Sequence, residues 1–220
     1  MATDTVAYSP REEILRRIRV ANGGSGGRDV ATAGWGGLER VYRRRGSLGR
    51  EGVLELFECR LRDYDAGVAR VAEADVAACV GGRLAARGVR RMVIPAGLKA
   101  EWMPKGFDYV VDEGLTAAEL DRVDGVMTGA TVAIAETGTV VLQNVPGQGR
   151  RMATLVPDYH LCVVLEDEVV ETVAEAMARL QGTAVLATTF VSGPSATADI
   201  EMTRIKGVHG PRFLEVLLVG

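Results

Sequence analysis

Residues 161–191 read LCVVLEDEVVETVAEAMARLQGTAVLATTFV, and the order of segments within this stretch decides the fold class. Residues 161–165 are continuously apolar, the composition of a strand buried on both faces. Asp167 stands where a helix N-cap would, and the spacing predicts a helix over 168–180. Val169, Val173, Met177 and Leu180 form its inward stripe, with Glu171, Glu175 and Arg179 on the other side. Residues 184–191 then supply a second strand. Strand, helix, strand in this order is the unit of an α/β sheet with helices on both faces.

The same alternation extends outward. Upstream, 132–135 and 140–142 are apolar segments joined by Glu136, Thr137, Gly138 and Thr139, the pattern of two strands and a tight turn. Asp75 precedes a helix striped by Val76, Val80 and Leu84 and closed by Gly88. Residues 91–95 are a short buried strand ended by Pro-Ala-Gly, and 109–111 are another apolar run. Thr116 and Glu119 have capping-box spacing. Leu54, Leu56, Cys59 and Leu61 fit a strand or a helix. Downstream, 215–219 are a further strand. At the N-terminus, Ser9-Pro10 opens a predicted helix with Ile14, Leu15 and Ile18 on one side. Gly23, Gly24, Gly26, Gly27, Gly34, Gly36 and Gly37 follow at spacings too irregular for a nucleotide loop. Residues 1–50 are therefore expected to be a helix and a flexible glycine-rich linker, and 51–220 the main domain.

Composition closes off several function classes. With 26 basic against 29 acidic residues in 220 the net charge is −3, which gives no reason to expect nucleic acid or an anionic membrane as partner. No apolar run reaches the ~20 residues that span a bilayer, and the first residues lack the apolar core of a signal peptide, so a cytoplasmic address is expected. Cys59, Cys79 and Cys162 are scattered, without CxxC or a histidine pair, so neither a metal site nor a cluster of the chain's own is expected. GxxxxGK[ST] and HExxH are both missing.

Chemistry is sought where polar, glycine-containing turns meet strand ends. Three such turns occur: 136–139, 157–160 (PDYH) and 192–195 (SGPS), the last leading into Ala196, Thr197, Ala198 and Asp199. A Ser/Gly-rich turn opening a helix would hold an anion through backbone N–H groups and the hydroxyls of Ser192, Ser195 and Thr197, with Gly193 permitting the turn. Alternatively, Ser195 or Thr197 only caps that helix. Asp199 and Glu201 either position a ligand or tether an arginine such as Arg204. His209, between Gly207 and Gly210, has room to act as general acid or base near neutral pH; His160 reads as structural. Arg150 and Arg151 either clamp an anion or are solvated.

Three blocks carry a family resemblance: AIAETGTVVL (133–142), RRMATLVPDYHLCVV (150–164) and SGPSATADIEMTRIKGVHGP (192–211). They resemble the LUD-domain family of lactate-utilization C proteins. The resemblance makes 51–220 the LUD domain and implies a NagB/RpiA/CoA-transferase-like fold. It also implies participation in oxidation of L-lactate to pyruvate with two iron–sulfur partner proteins, the clusters residing in those partners and no cofactor in this chain. Thr131 departs from a position that is often acidic in the family. The expected site joins Glu136 and His209 as catalytic groups to Thr137, Gly138, Thr139, Ser192, Gly193, Ser195, Thr197 and Asp199 around a small anionic metabolite. Two alternatives stand beside a lactate-oxidizing complex. One is a stand-alone enzyme of the CoA-transferase and sugar-phosphate isomerase superfamily with Glu136 as nucleophile; the other is a non-catalytic ligand-binding module.

Overall fold

A computed structural model describes residues 9–21, 34–39, 41–197, 205–207 and 209–220. The chain divides into two units, Met1–Tyr42 and Arg43–Gly220. In the first, helix α1 (Pro10–Ala21) starts at Ser9 with a reciprocal cap: the Ser9 N–H donates to the Glu12 carboxylate at 2.8 Å, and the Glu12 N–H donates back to the Ser9 hydroxyl at 3.3 Å. Ile14, Leu15 and Ile18 line one side of it as expected and are exposed. The expected linker glycines Gly23, Gly24, Gly26 and Gly27 lie outside the described residues.

The second unit opens with α2 (Arg50–Asp63), which resolves the ambiguous segment as helix. Val53, Leu54, Phe57 and Leu61 are its buried side chains, a helical stripe, while Cys59 is exposed. The chain continues through β1 (Gly67–Val71), α3 (Val76–Ala86), β2 (Arg91–Ile94), β3 (Asp108–Val111), α4 (Ala117–Leu120) and β4 (Gly125–Thr128). Helix α3 buries the predicted Val76, Val80 and Leu84 and closes on Gly88 at φ +68. Thr116 and Glu119 form the expected capping box on α4.

The hairpin β5 (Val132–Ile134) and β6 (Thr139–Gln143) and the strand β7 (Tyr159–Leu165) match expectation. The next segment does not. Val169 and Val170 form a two-residue strand, β8, parallel to Ala133 and Ile134, so the helix α5 starts only at Val173 and runs to Leu180. Its N-cap is Thr172, boxed with Glu175, rather than Asp167. Displacing the helix start also changes its inward face. Ala176 and Leu180 are buried, Val173 and Met177 are exposed, and Glu171, expected outward, is 5% exposed. Buried Glu171 is satisfied: its carboxylate accepts the Leu48 N–H at 2.7 Å and pairs with Arg43 at 3.2 Å. Residues 43–48 thereby belong to the larger unit. The following strand, β9, spans only Thr188–Val191. Short strands β10 (Ala196–Thr197) and β11 (Ile205–Lys206) pair as a ribbon, and β12 (Phe213–Val219) ends the fold.

Six strands form one parallel sheet in the order β1-β12-β7-β4-β2-β3. A second sheet has the order β8-β5-β6-β9. Against one face of the large sheet α3 packs Val76, Val80 and Leu84 onto Met92, Met127, Leu161 and Leu217. On the other face, Phe57 and Leu61 of α2 and Ala133, Val140 and Leu142 of the small sheet meet Cys162, Val164, Val216 and Leu218. The outer face of the small sheet is covered by Ala176 and Leu180 of α5. The result is a layered α/β fold with helices on both faces, as the alternating segments implied. Among the described residues no helix is long and apolar enough to cross a membrane.

Candidate functional site

A cleft of about 240 Å³ opens at the amino ends of β7 and β12 and the carboxyl end of β9. It joins two of the three turns singled out in the sequence: His160 from the second, and Ser192, Gly193 and Ser195 from the third. Arg151, Thr154 and His209 complete its polar lining, and none of the described lining residues is acidic. A guanidinium, two imidazoles and several hydroxyls around a space without described carboxylates favour an anion.

The turn at 192–195 does not open a helix. It leads into the ribbon, and the Ser195 backbone is fully engaged: its N–H donates to Pro211 at 2.8 Å and its carbonyl accepts the Gly207 N–H at 2.9 Å. The Ser195 hydroxyl accepts the His209 N–H at 3.1 Å, tying the two lining segments together. Anion recognition here therefore falls to side chains rather than to a helix N-terminus. Gly193 is required for packing, since at φ +82 a Cβ would lie 2.6 Å from Cβ of Tyr64. Thr197 follows in β10, opposite Ile205, and Asp199, Glu201 and Arg204 lie outside the described residues.

The first turn contributes only an edge. The hydroxyls of Thr137 and Thr139 are 2.7 Å apart, and that of Thr139 reaches Ser192 Oγ at 2.7 Å, so a short hydroxyl chain runs from this turn to the cleft. Gly138 packs against α2: at φ +57, a Cβ would lie 2.8 Å from the carbonyl carbon of Arg60. Glu136 forms an ion pair with Arg43 and is not among the residues lining the cleft, so the structure does not bring it together with His209.

His160 is 2% exposed, and burial, reinforced by the charge of Arg151, lowers its pKa to about 4. It is a neutral imidazole at physiological pH. Thr128 links it to the core: its hydroxyl lies 2.8 Å from His160 Nε2 and donates to Cys162 Sγ at 3.5 Å, and that thiol donates to the Gly129 carbonyl. The Thr128 hydroxyl thus stands between the imidazole and the thiol, and holds the ring at the cleft wall. The same burial pushes the Cys162 thiol up to about 12, so it is no nucleophile.

The two adjacent arginines separate cleanly. Arg150 forks onto Asp112 with two contacts of 2.8 Å and also donates to the Leu115 carbonyl; the guanidinium holds the Asp112 carboxyl below its ordinary range. Among the described residues Arg151 has no acidic partner and its guanidinium hydrogen-bonds only Thr154, at 3.5 Å, leaving its charge for the cleft. At the rim, Arg212 holds Asp158 by contacts of 2.7 and 2.6 Å, fixing the start of β12 against that of β7. Thr131 donates to Gln148 Oε1 at 2.8 Å, a structural bond. Cys59, Cys79 and Cys162 are free, and the described residues contain no group of three His, Cys, Asp or Glu side chains placed to hold a metal ion.

The LUD domain family matches residues 99–219. A protein of Deinococcus radiodurans named Lactate utilization protein C is 44% identical over 176 residues, 79% of this chain and 82% of its own. Proteins of the same name from Shouchella clausii and Halalkalibacterium halodurans are 31% and 35% identical over 46% and 48% of this chain, and 45% and 47% of their own. A crystal structure of a DUF162 family protein from D. radiodurans superposes with a TM-score of 0.70 at 41% identity, covering 79% of this chain and 100% of that one.

Proposed function

The chain belongs to the LUD-domain family, and from that premise we propose that it serves in the oxidation of L-lactate to pyruvate, binding an anionic metabolite beside iron–sulfur partner proteins. The observation that carries the metabolic reading is the 44% identity to a lactate-utilization protein over most of both chains. The binding role is supported by the cleft, in which Arg151, His209, Ser192 and Ser195 surround a space with no described carboxylate. A carboxylate of lactate or pyruvate suits a guanidinium in two-point contact, and the hydroxyls of Ser192 and Ser195 offer further polar contacts beside neutral His160. Electron transfer falls to the partners, since the three cysteines of this chain are scattered.

The superfamily alternative, a glutamyl thioester on Glu136, gains nothing from a carboxylate already paired with Arg43. The test is lactate-dependent dye reduction by the purified iron–sulfur partners with and without this chain. The proposal expects activity to depend on the chain and the proteins to co-purify. Equal rates without it, together with separate elution, would overturn it.

A further inference from the structure

A second cleft, of about 170 Å³, lies at the other end of the large sheet. From β2 the chain moves outward to the edge strand β3 and returns to β4 on the opposite side of β2. That reversal is a topological switch point, where the loops leaving neighbouring strands part and ligands enter open α/β sheets. The cleft sits there, walled by Gly97 and Lys99 after β2, Gly129 after β4 and Glu168 after β7, with Trp102 and Gln148 completing it.

Its floor is built rather than incidental. The Gly129 N–H donates to the Gly147 carbonyl, and the Gly147 N–H to the Ala96 carbonyl, both at 2.8 Å. Gly97, at φ +82, admits no side chain, because a Cβ would lie 2.7 Å from Pro146 Cβ. The polar groups on this frame are mostly donors. Lys99 Nζ lies 5.0 Å from the Trp102 ring centroid, and its contact with exposed Glu73 is a long 3.5 Å. Gln148 Oε1 accepts from the Gln143 N–H at 2.7 Å and from Thr131, which orients the amide and leaves its Nε2 without a partner among the described residues. One oxygen of Glu168 accepts the Leu165 N–H at 2.8 Å, and the other is left for the cleft.

We propose that this cleft is a second ligand site, which takes a small carboxylate held by Lys99, Gln148 Nε2 and the protonated carboxyl of Glu168. Glu168 can supply that proton near neutral pH because burial raises its pKa to about 7, with Asp167 adding to the rise and the Leu165 N–H, Lys99 and Arg179 opposing it. Ligand binding then takes up a proton whenever Glu168 starts ionised. Affinity is greatest below about pH 7 and falls above it, approaching about tenfold per pH unit. The site does not depend on the first cleft, although residues 145–154 serve both, giving Gln148 to one and Arg151 and Thr154 to the other.

The test is calorimetric titration of the full chain with pyruvate at about pH 6 and about pH 8, with inorganic phosphate as a competing anion. Every titration carries Arg151→Gln, so that the first cleft is impaired throughout. The proposal expects pyruvate to bind with proton uptake, Lys99→Met to weaken binding at least about tenfold, and Glu168→Gln to bind with an affinity that no longer changes with pH. Glu168→Gln keeps an acceptor for the Leu165 N–H, and Lys99 is half exposed, so both variants leave the fold standing. Undiminished binding in Lys99→Met, full pH dependence in Glu168→Gln, or phosphate competing on equal terms with pyruvate would each overturn the assignment, as would no binding in the Arg151→Gln parent.

Discussion

Lowering the pH should expose the cost of keeping His160 neutral. Its folded-state pKa, about 4, lies below the value of 6.5 for a free imidazole, so the unfolded chain binds this proton more tightly. Its contribution to stability is complete above pH 6.5, is lost progressively as the pH falls, and levels off below about 4. Between about pH 7.5 and about pH 5 the loss comes to about 2 kcal/mol. Wild-type stability alone does not isolate it, because Glu168 is shifted the opposite way and stabilises the fold as it gains a proton over much of the same range. The depressed carboxyls of Asp112 and Asp158 matter only at lower pH. The comparison is therefore urea denaturation of wild type and His160→Gln at both pH values, since glutamine cannot titrate and keeps a polar group facing Thr128. Wild type should lose about 2 kcal/mol more than the variant on acidification. Equal changes in the two proteins would refute the buried neutral imidazole.

Two further substitutions test the frame that holds the first cleft. Gly138→Ala places a Cβ against the Arg60 backbone at a left-handed φ, and should cost about 2–4 kcal/mol from strain and overpacking, read as a lower urea midpoint with unchanged slope. A neutral outcome would mean that the turn and α2 separate easily. Phe57→Ala empties a fully buried position between the two sheets and should cost about 3–5 kcal/mol, whereas Phe57→Leu should cost much less; thermal melts of both check this ordering.

Where local pattern and tertiary environment agree, the sequence is readable. Residues 161–165 are apolar because β7 is central in a parallel sheet, and the stripe Val76, Val80 and Leu84 needs only α3 and the sheet beneath it. The start of α5 was not readable, because Val169 and Val170 fit a helical stripe as well as a strand; pairing with distant Ala133 and Ile134 decides the matter. Glu171 falls on the outer side of a helical wheel, yet Arg43 and the Leu48 N–H, far away in sequence, draw it inward. The site shows the same division. Its hydroxyl turn and His209 stand out in the sequence, but Arg150 and Arg151 are indistinguishable until Asp112 claims the first. Glu136 looked chemical because it ends a strand beside Thr-Gly, and only the fold reveals its tie to Arg43. Nothing local marks Thr128 or the role of Thr154.

The central claim is that the cleft lined by Arg151, Ser195 and His209 binds an anionic metabolite. It is tested most directly by titrating L-lactate and pyruvate into the Lys99→Met protein, where the second cleft is impaired, and into the same protein carrying Arg151→Gln or Ser195→Ala. The account predicts binding in the Lys99→Met parent that weakens about tenfold or more when either group is removed. Binding of undiminished affinity in both double variants, or none in the parent, would contradict it.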